Sequence, residues 1–188
     1  MRKIYRCFLL AGALCLLAAN SSAQVENTVE DWSWTVDHFE RFGIWDSVCD
    51  HRDDNGTKLQ RCYVSHVDVF SPRPKFAAAF MFVTPEDNSN LKFEFRFETG
   101  TQFDEGGFAV LVDGQPTWNF NPANCPSLKC IFESSEAEIL LNAMEEKGEL
   151  YFALTDRFGR YYELQWNTEG FAEAIADMRG QAAARKLF

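Results

Sequence analysis

The chain has 188 residues and a formal net charge of −10, with 28 acidic and 18 basic side chains. This length fits a single domain with a hydrophobic core of ordinary size. The acidic balance argues against a nucleic-acid-binding protein and against one that binds anionic lipid surfaces, because both functions need basic patches.

The N-terminus has the pattern of a secretory signal peptide. Basic residues precede an apolar run from Phe8 to Ala19, and Ser21-Ser22-Ala23 is a small-x-small cleavage sequence. We therefore predict a signal peptide over residues 1–23, a mature chain that begins at Gln24 and no retained transmembrane anchor. Cleavage removes three basic residues and no acidic ones, so the mature chain has 15 basic and 28 acidic residues and a net charge of −13.

Four cysteines remain after this cleavage: Cys49, Cys62, Cys125 and Cys130. An even number in an exported chain indicates a disulfide framework, and four cysteines allow three pairings. We expect neighbours to pair, since the short turn that begins Cys125-Pro already brings its two ends close together. The spacings match neither a structural zinc site nor a CxxC redox motif, so structural disulfides are favoured over both.

The stretch from Trp45 to Cys62 predicts a β-hairpin closed by one of these disulfides. Asn55-Gly56 is a strong signal for a type I′ turn, which needs positive φ at both central residues. With the turn at this place, Cys49 faces Cys62 at a pair that is not hydrogen-bonded, where the Cα atoms lie about 4.5 Å apart. That distance is compatible with a disulfide.

The N-terminal arm that we assign to residues 24–42 has an undecided secondary structure. Trp32, Val36 and Phe39 lie at helical spacing, whereas Trp32, Trp34 and Val36 alternate as they would in a strand. The tryptophans could anchor the arm to a partner surface, because Trp is enriched at binding hot spots. Alternatively, the arm covers the core of its own domain, since most large aromatic side chains are at least partly buried.

Downstream of the hairpin, the pattern is mostly that of short strands with turn signals between them. The clearest strand is Leu91–Glu98, where apolar and charged residues alternate without a fault; we expect the charged face to serve solubility and cross-strand pairing. Another hairpin is predicted around the turn 156–160. The other predicted strands are Tyr63–Phe70, Phe76–Val83, Phe108–Val112, Thr117–Phe120 and Ile131–Phe132.

Two amphipathic helices complete the predicted fold. Ser135 and Glu138 form a capping box at the start of the first, which runs to about Lys147. The second lies within 170–187 and has Phe171 and Ile175 on its apolar face. About eight strands and two flanking helices predict a disulfide-bonded, mainly β protein with a β-sandwich over residues 43–188.

No catalytic or metal-binding constellation stands out, and we predict no cofactor. The histidines are not at metal-ligand spacing, and there is no nucleophile elbow or phosphate-binding glycine loop. Adjacent carboxylates could serve a hydrolase, but in so acidic a chain solvated charge explains them as well. The histidines are His38, His51 and His66, and the carboxylate pairs are Asp53-Asp54, Asp104-Glu105 and Glu145-Glu146.

An ordered set of motifs resembles the invasion-associated locus B family of exported bacterial proteins. The set consists of Trp45-x-x-x-Cys49, Cys62, Gly107 with Phe108 to Asp113, the pair Cys125 and Cys130, Leu140-Leu141, and Gly170-Phe171-x-x-Ala174. The similarity extends from Phe42 to Met178. It implies an immunoglobulin-like β-sandwich in the periplasm or envelope of a Gram-negative bacterium, a role in host-cell entry for some pathogenic members, and no known catalytic residues.

Three functions remain open at this point. The first is a non-enzymatic periplasmic, outer-membrane-associated or secreted protein that binds an unidentified protein or envelope component. The second is a periplasmic module for a glycan or small ligand, in which Trp32, Trp34 and Trp118 stack on sugar rings if they share a face. The third is an envelope hydrolase, which rests only on the carboxylates.

Overall fold

The computed structural model describes residues 33–71, 74–86, 90–121, 125 and 128–187, apart from the side chains of residues 105 and 106. These residues form ten strands and two α-helices. In chain order they are β1 (Thr35–Phe42), β2 (Trp45–Asp54), β3 (Thr57–Ser71), β4 (Ala77–Pro85), β5 (Leu91–Phe97), β6 (Gln102–Val112), β7 (Gln115–Asn119), β8 (Lys129–Phe132), α1 (Ser134–Glu145), β9 (Glu149–Thr155), β10 (Tyr161–Asn167) and α2 (Phe171–Ala184).

The strands form two antiparallel sheets, as a β-sandwich requires. The six-stranded sheet has the order β1-β2-β3-β4-β5-β8, and the four-stranded sheet has the order β10-β9-β6-β7. Aromatic rings from the two sheets meet in the core, where the centroids of Phe95 and Phe108 are 5.0 Å apart and those of Phe97 and Phe152 are 5.7 Å apart. The predicted fold class is confirmed, with ten strands among the described residues where about eight were expected.

The hairpin around Asn55-Gly56 has the predicted register. Both turn residues have positive φ, 50° and 83°. Asp54 pairs with Thr57 and Cys49 with Cys62 along β2 and β3. The two cysteines form a disulfide with a Cα–Cα distance of 4.1 Å, which is nearer to the about 4.5 Å of a non-hydrogen-bonded pair than to the about 5.5 Å of a hydrogen-bonded one.

The alternating strand β5 places its apolar residues in the core, as its pattern predicts. Leu91, Phe93, Phe95 and Phe97 are all buried. Strand β4 is also largely buried: Met81 and the three alanines of this strand are at most 1% exposed. The second predicted hairpin is present as β9 and β10, which pair from Tyr161 with Thr155 to Asn167 with Glu149.

Both helices turn their apolar side chains toward the same core. Helix α2 buries Phe171, Ala174, Ile175, Met178 and Ala182, and α1 buries Ala137, Leu140, Ala143 and Met144. The predicted capping box at Ser135 and Glu138 is wrong. Helix α1 already includes Ser134, and its N-cap residue Glu133 forms no side-chain cap hydrogen bond. Ser135 lies within the first turn, where it cannot serve as the N-cap.

The undecided N-terminal segment contains an edge strand. Residues Thr35–Phe42 form β1, which pairs with β2 with a register shift between Val36 and His38. His38 Nε2 lies 2.7 Å from an Asp177 carboxylate oxygen and so connects β1 to α2. The predicted signal peptide and residues 24–32 of the predicted arm lie outside the described residues. Within the part of the chain that the structure describes, no helix has the length and apolar character needed to cross a membrane.

Candidate functional site

The six-stranded sheet has an inner face against the core and an outer face that points away from it. Trp45, Cys49 and Cys62 lie in the core and mark the inner face. Because side chains alternate along a strand, Asp50 in β2 and Arg61 and Tyr63 in β3 lie on the outer face. The buried side chains of α1 and α2 join the core cluster on the inner side. Among the described residues, therefore, neither helix covers the outer face.

A groove of about 320 Å³ crosses this outer face. We call it the outer-face groove; its lining residues come from β3, β4 and β5 and are Arg61, Tyr63, Phe82, Thr84, Lys92, Glu94 and Arg96. The strand register brings them together, since Phe82 pairs with Glu94 and Thr84 with Lys92. Its volume is at the lower end of the range of small-ligand sites, about 300–1,000 Å³.

One wall of the groove is formed by Arg61, which is held in place from two sides. Its Nε and Nη2 donate hydrogen bonds of 2.8 and 3.1 Å to the two carboxylate oxygens of Asp50. Its guanidinium also lies 3.8 Å from the centroid of the Trp34 ring. The Asp50 side chain is only 4% exposed whereas that of Arg61 is 48% exposed, so the buried carboxylate orients a cation that remains accessible.

The hydroxyl group of Tyr63 also donates a hydrogen bond, of 3.1 Å, to Asp50. Burial and the neighbouring Asp50 carboxylate raise the pKa of Tyr63 above its ordinary value, so the phenol stays protonated at neutral pH and continues to donate. The rings of Tyr63 and Phe82 form an edge-to-face pair with centroids 6.0 Å apart. This pair gives the groove an aromatic floor.

The opposite wall also has a carboxylate that pairs with more exposed cations, although this carboxylate is only partly buried. Glu94, 12% exposed, forms ion pairs with Arg96 and with Lys129 of the neighbouring strand β8, whose Nζ lies 3.1 Å away. Burial alone would raise the pKa of Glu94, but the hydrogen bonds from Arg96 and Lys129 outweigh it and lower the pKa below its ordinary value. Glu94 is therefore ionised at neutral pH, and the Arg96 side chain is 57% exposed above it.

The groove and its supporting residues carry more positive than negative charge. Four cations, Arg61, Lys92, Arg96 and Lys129, lie with two carboxylates, Asp50 and Glu94. Lys92 forms no ion pair with any other described residue. A local excess of positive charge in a chain with a net charge of −10 gives an anion a preferred place on the surface.

Two carboxyl groups outside the groove have lowered pKa values. Burial raises the pKa of Asp156 and of Asp177, but hydrogen bonds to each carboxylate outweigh it, so both pKa values lie below their ordinary value. A general acid needs a raised pKa instead. No cluster of three metal-ligating side chains occurs among the residues that the structure describes.

Comparison with known proteins identifies the family of this chain. The sequence model of the family "Invasion associated locus B (IalB) protein" matches residues 45–179, which is most of the chain. The chain belongs to the IalB family. A solved structure that matches it is the crystal structure of invasion associated protein B from Bartonella henselae, with 14% identity and a TM-score of 0.49 over 78% of this chain and 98% of that one. No curated protein matches significantly.

In this IalB protein, the three tryptophans considered for partner binding do not form one described platform. Trp32 lies outside the described residues. Trp34 contacts Arg52 and Arg61 of the six-stranded sheet, with the Arg52 guanidinium 5.0 Å from its ring centroid. Trp118 lies on the other sheet, where its ring contacts are the phenylalanines 108, 120 and 132. The ring contacts of Trp34 and Trp118 have no residue in common.

Both cysteine pairs form disulfides that frame the fold. Cys49–Cys62 crosses the first hairpin and is buried in the core. Cys125 lies before β8 and Cys130 lies within it, and their disulfide joins Cα atoms that are 4.7 Å apart. Cys130 faces Phe95 in the β5–β8 pairing, so this loop disulfide anchors the strand that carries Lys129.

The charged face of β5, for which the alternating pattern suggested a role in solubility, lines the groove. The alternation of Lys92, Glu94 and Arg96 correctly predicts that these side chains point outward. It does not show that Arg61 and Tyr63 lie across β4 from them, because that depends on strand register. A signal was present in the aromatic residue Phe82, which falls on the outward side of a largely apolar strand.

Proposed function

We propose that this IalB protein is exported and acts in the cell envelope by binding another component, without catalysis. The observation that carries the proposal is the outer-face groove, where the buried Asp50 and the partly buried Glu94 orient accessible cations around an aromatic pair. A small number of fixed polar groups around an aromatic floor is typical of ligand-binding sites. The signal-peptide pattern of residues 1–23 and the two disulfides support export to an oxidising compartment, for which we propose the periplasm.

A binding role also fits the family assignment. The IalB family is not a known enzyme family. The carboxylates of the groove support the binding role as well, since Asp50 and Glu94 are both engaged by cations and neither stands free as an acid or base. An association with host-cell invasion comes from the family description, and binding to a host or envelope component is the molecular activity that would serve it.

Position-specific photo-crosslinking in living cells tests the proposal. Val67 is 48% exposed, and its strand partner Phe80 pairs in turn with Arg96 of the groove. A benzophenone amino acid at Val67 should capture an envelope component, because benzophenone inserts into C–H bonds of proteins, glycans and lipids. The matched control is Ile139 on α1, which is 57% exposed on a different element. Crosslinks at Val67 but not at Ile139 would support binding at the outer face; equal products at both positions, or none at Val67, would contradict it.

Export has its own test. The protein recovered from the periplasmic fraction should begin at Gln24, and its peptides mapped without reduction should contain Cys49 joined to Cys62. A protein that retains Met1 and free thiols in the cytoplasm would contradict the proposed address.

A further inference from the structure

We propose that the outer-face groove binds an acidic saccharide, with its cations on the sugar carboxylates and the Tyr63–Phe82 pair beneath a sugar ring. This inference rests on the binding function proposed above and names the chemical class of the ligand. It depends on three features of the groove: its charge, the orientation of its cations and its position over a central strand.

The charge of the groove selects an anion. Arg61, Lys92, Arg96 and Lys129 exceed Asp50 and Glu94 by two charges, whereas the chain as a whole is strongly acidic. A local excess of positive charge attracts an anionic ligand even though the net charge of the chain repels it, which favours the groove as a binding place.

Two cations that line the groove, Arg61 and Arg96, are oriented before a ligand arrives. The two hydrogen bonds to Asp50 use two of the five N–H donors of Arg61. The Trp34 ring covers one side of the Arg61 guanidinium. Arg96 is held by one contact, from its Nε to a carboxylate oxygen of Glu94. Cations fixed by carboxylate partners lose little side-chain entropy when they bind an anion, so they bind it more tightly than mobile surface lysines do.

The location of the groove argues for a saccharide over an acidic peptide. The groove crosses β4, whose backbone already pairs with β3 on one side and with β5 on the other. A peptide cannot add to this strand through backbone hydrogen bonds, as it does when it binds a free sheet edge. A ligand must be recognised here by side chains alone, and a sugar with a carboxylate offers an apolar ring face to Tyr63 and Phe82 and charged oxygens to the cations around them.

Isothermal titration calorimetry of the mature, disulfide-bonded protein with trigalacturonate tests the proposal. Galactotriose serves as the neutral control and hexaglutamate as the acidic peptide. We expect trigalacturonate to bind, galactotriose not to bind, and the affinity for trigalacturonate to fall as salt rises from about 50 to about 300 mM because screening weakens the ion pairs.

Three substitutions locate the binding in the groove. Lys92→Gln and Arg96→Gln should each weaken trigalacturonate binding about tenfold, since each removes a charge-assisted contact. Phe82→Leu should weaken it by about two- to tenfold through loss of the aromatic floor. Lys147→Gln is the matched control. Lys147 is an exposed lysine in the connection between α1 and β9, and its replacement should leave the affinity for trigalacturonate unchanged.

The outcomes separate this inference from the function on which it rests. Absence of trigalacturonate binding, equal affinity for hexaglutamate, or binding that survives both Lys92→Gln and Arg96→Gln would overturn the acidic saccharide. If position-specific crosslinks at Val67 still form in cells, the binding function stands with a ligand of another class. If those crosslinks are absent as well, both proposals fail.

Discussion

The guanidinium of Arg61 lies 3.8 Å from the centroid of the Trp34 ring. This contact joins the residue before the edge strand β1 to the third strand of the sheet. Because Arg61 is also bound to the buried carboxylate of Asp50, the Trp34 ring contributes to the environment of an ion pair on the outer face. An N-terminal tryptophan that the sequence suggested as a partner anchor thus contacts the protein's own sheet.

Replacement of this ring should lower stability. Trp34→Ala removes a cation–π contact with Arg61 and should lower the free energy of unfolding by about 1 kcal/mol. Trp34→Phe keeps an aromatic face and should lose less. Urea unfolding followed by far-UV circular dichroism measures both values. An unchanged free energy of unfolding for Trp34→Ala would mean that the contact contributes nothing in solution.

The two disulfides should differ in how much they stabilise the protein. Replacing both Cys49 and Cys62 by Ala should lower the free energy of unfolding by about 3 kcal/mol in the chain-entropy model, and the same change at Cys125 and Cys130 by about 2 kcal/mol, because the second loop is shorter. The first pair is also buried in the core, which adds a packing loss. Chemical denaturation of the two double variants tests the order, and a larger loss for the second pair would contradict it.

Two glycines at α2 provide opposite expectations for the same substitution. Gly170 has φ of +86°, and a Cβ there would lie 2.7 Å from the carbonyl oxygen of Phe42. Gly170→Ala should therefore cost about 1–2 kcal/mol for the left-handed backbone and more for the close contact. Gly180 lies within the helix with open space around its Cβ position, so Gly180→Ala should stabilise by up to about 1 kcal/mol.

Thermal and urea unfolding of the two glycine variants measure whether the free energy of unfolding falls for Gly170→Ala and rises for Gly180→Ala. A neutral Gly170→Ala would show that β1 and the start of α2 can separate without cost, which contradicts the close approach of Gly170 to Phe42.

The elements that were predictable from sequence are those with a strong local signal. Asn55-Gly56 specifies a two-residue turn, and this turn determines every pair of the first hairpin, including Cys49 with Cys62. The alternation in β5 likewise assigns each side chain to a face. In both cases neighbouring residues contain the information that decides the structure.

Features that depend on distant pairing were not predictable. The segment around Val36 and Phe39 fits helix and strand equally well, and its strand form is stabilised by β2 and by the contact of His38 with Asp177, 139 residues away. The groove is a similar case. Alternation places Lys92 on the outer face, but only the register of β3 to β5 makes Arg61 its neighbour across β4.

His66 provides a prediction about pH. Its Nδ1 lies 2.9 Å from the carbonyl oxygen of Ile44, and its ring packs edge-to-face against Trp45 and Trp166 at centroid distances of 5.4 and 4.7 Å. Burial lowers the pKa of His66 below 6.5, and this effect outweighs the hydrogen bond to Ile44 and the nearby carboxylate of Asp68, which favour the protonated ring. The folded protein therefore holds this imidazole neutral in a pH range where the unfolded chain protonates it.

The sign of the pH dependence follows from proton linkage. Below about pH 6.5 the unfolded state binds a proton at His66 more readily than the folded state does. The free energy of unfolding should therefore fall as the pH drops from about 6.5 toward the lower pKa of the folded state. Above about pH 6.5 this contribution to stability should be fully retained. Urea unfolding of wild-type and His66→Gln proteins at several pH values between about 5 and 7 measures this slope. The slope should be smaller in His66→Gln, whatever the change in absolute stability.

His51→Gln is the matched control for this slope, because His51 lies on the same sheet but has its Nδ1 2.8 Å from the Asp37 carboxylate. His51→Gln leaves the surroundings of His66 intact, so the slope assigned to His66 should remain in this variant. If His66→Gln keeps the full wild-type slope while His51→Gln abolishes it, the acid sensitivity arises at the β1–β2 edge and the assignment to His66 is wrong.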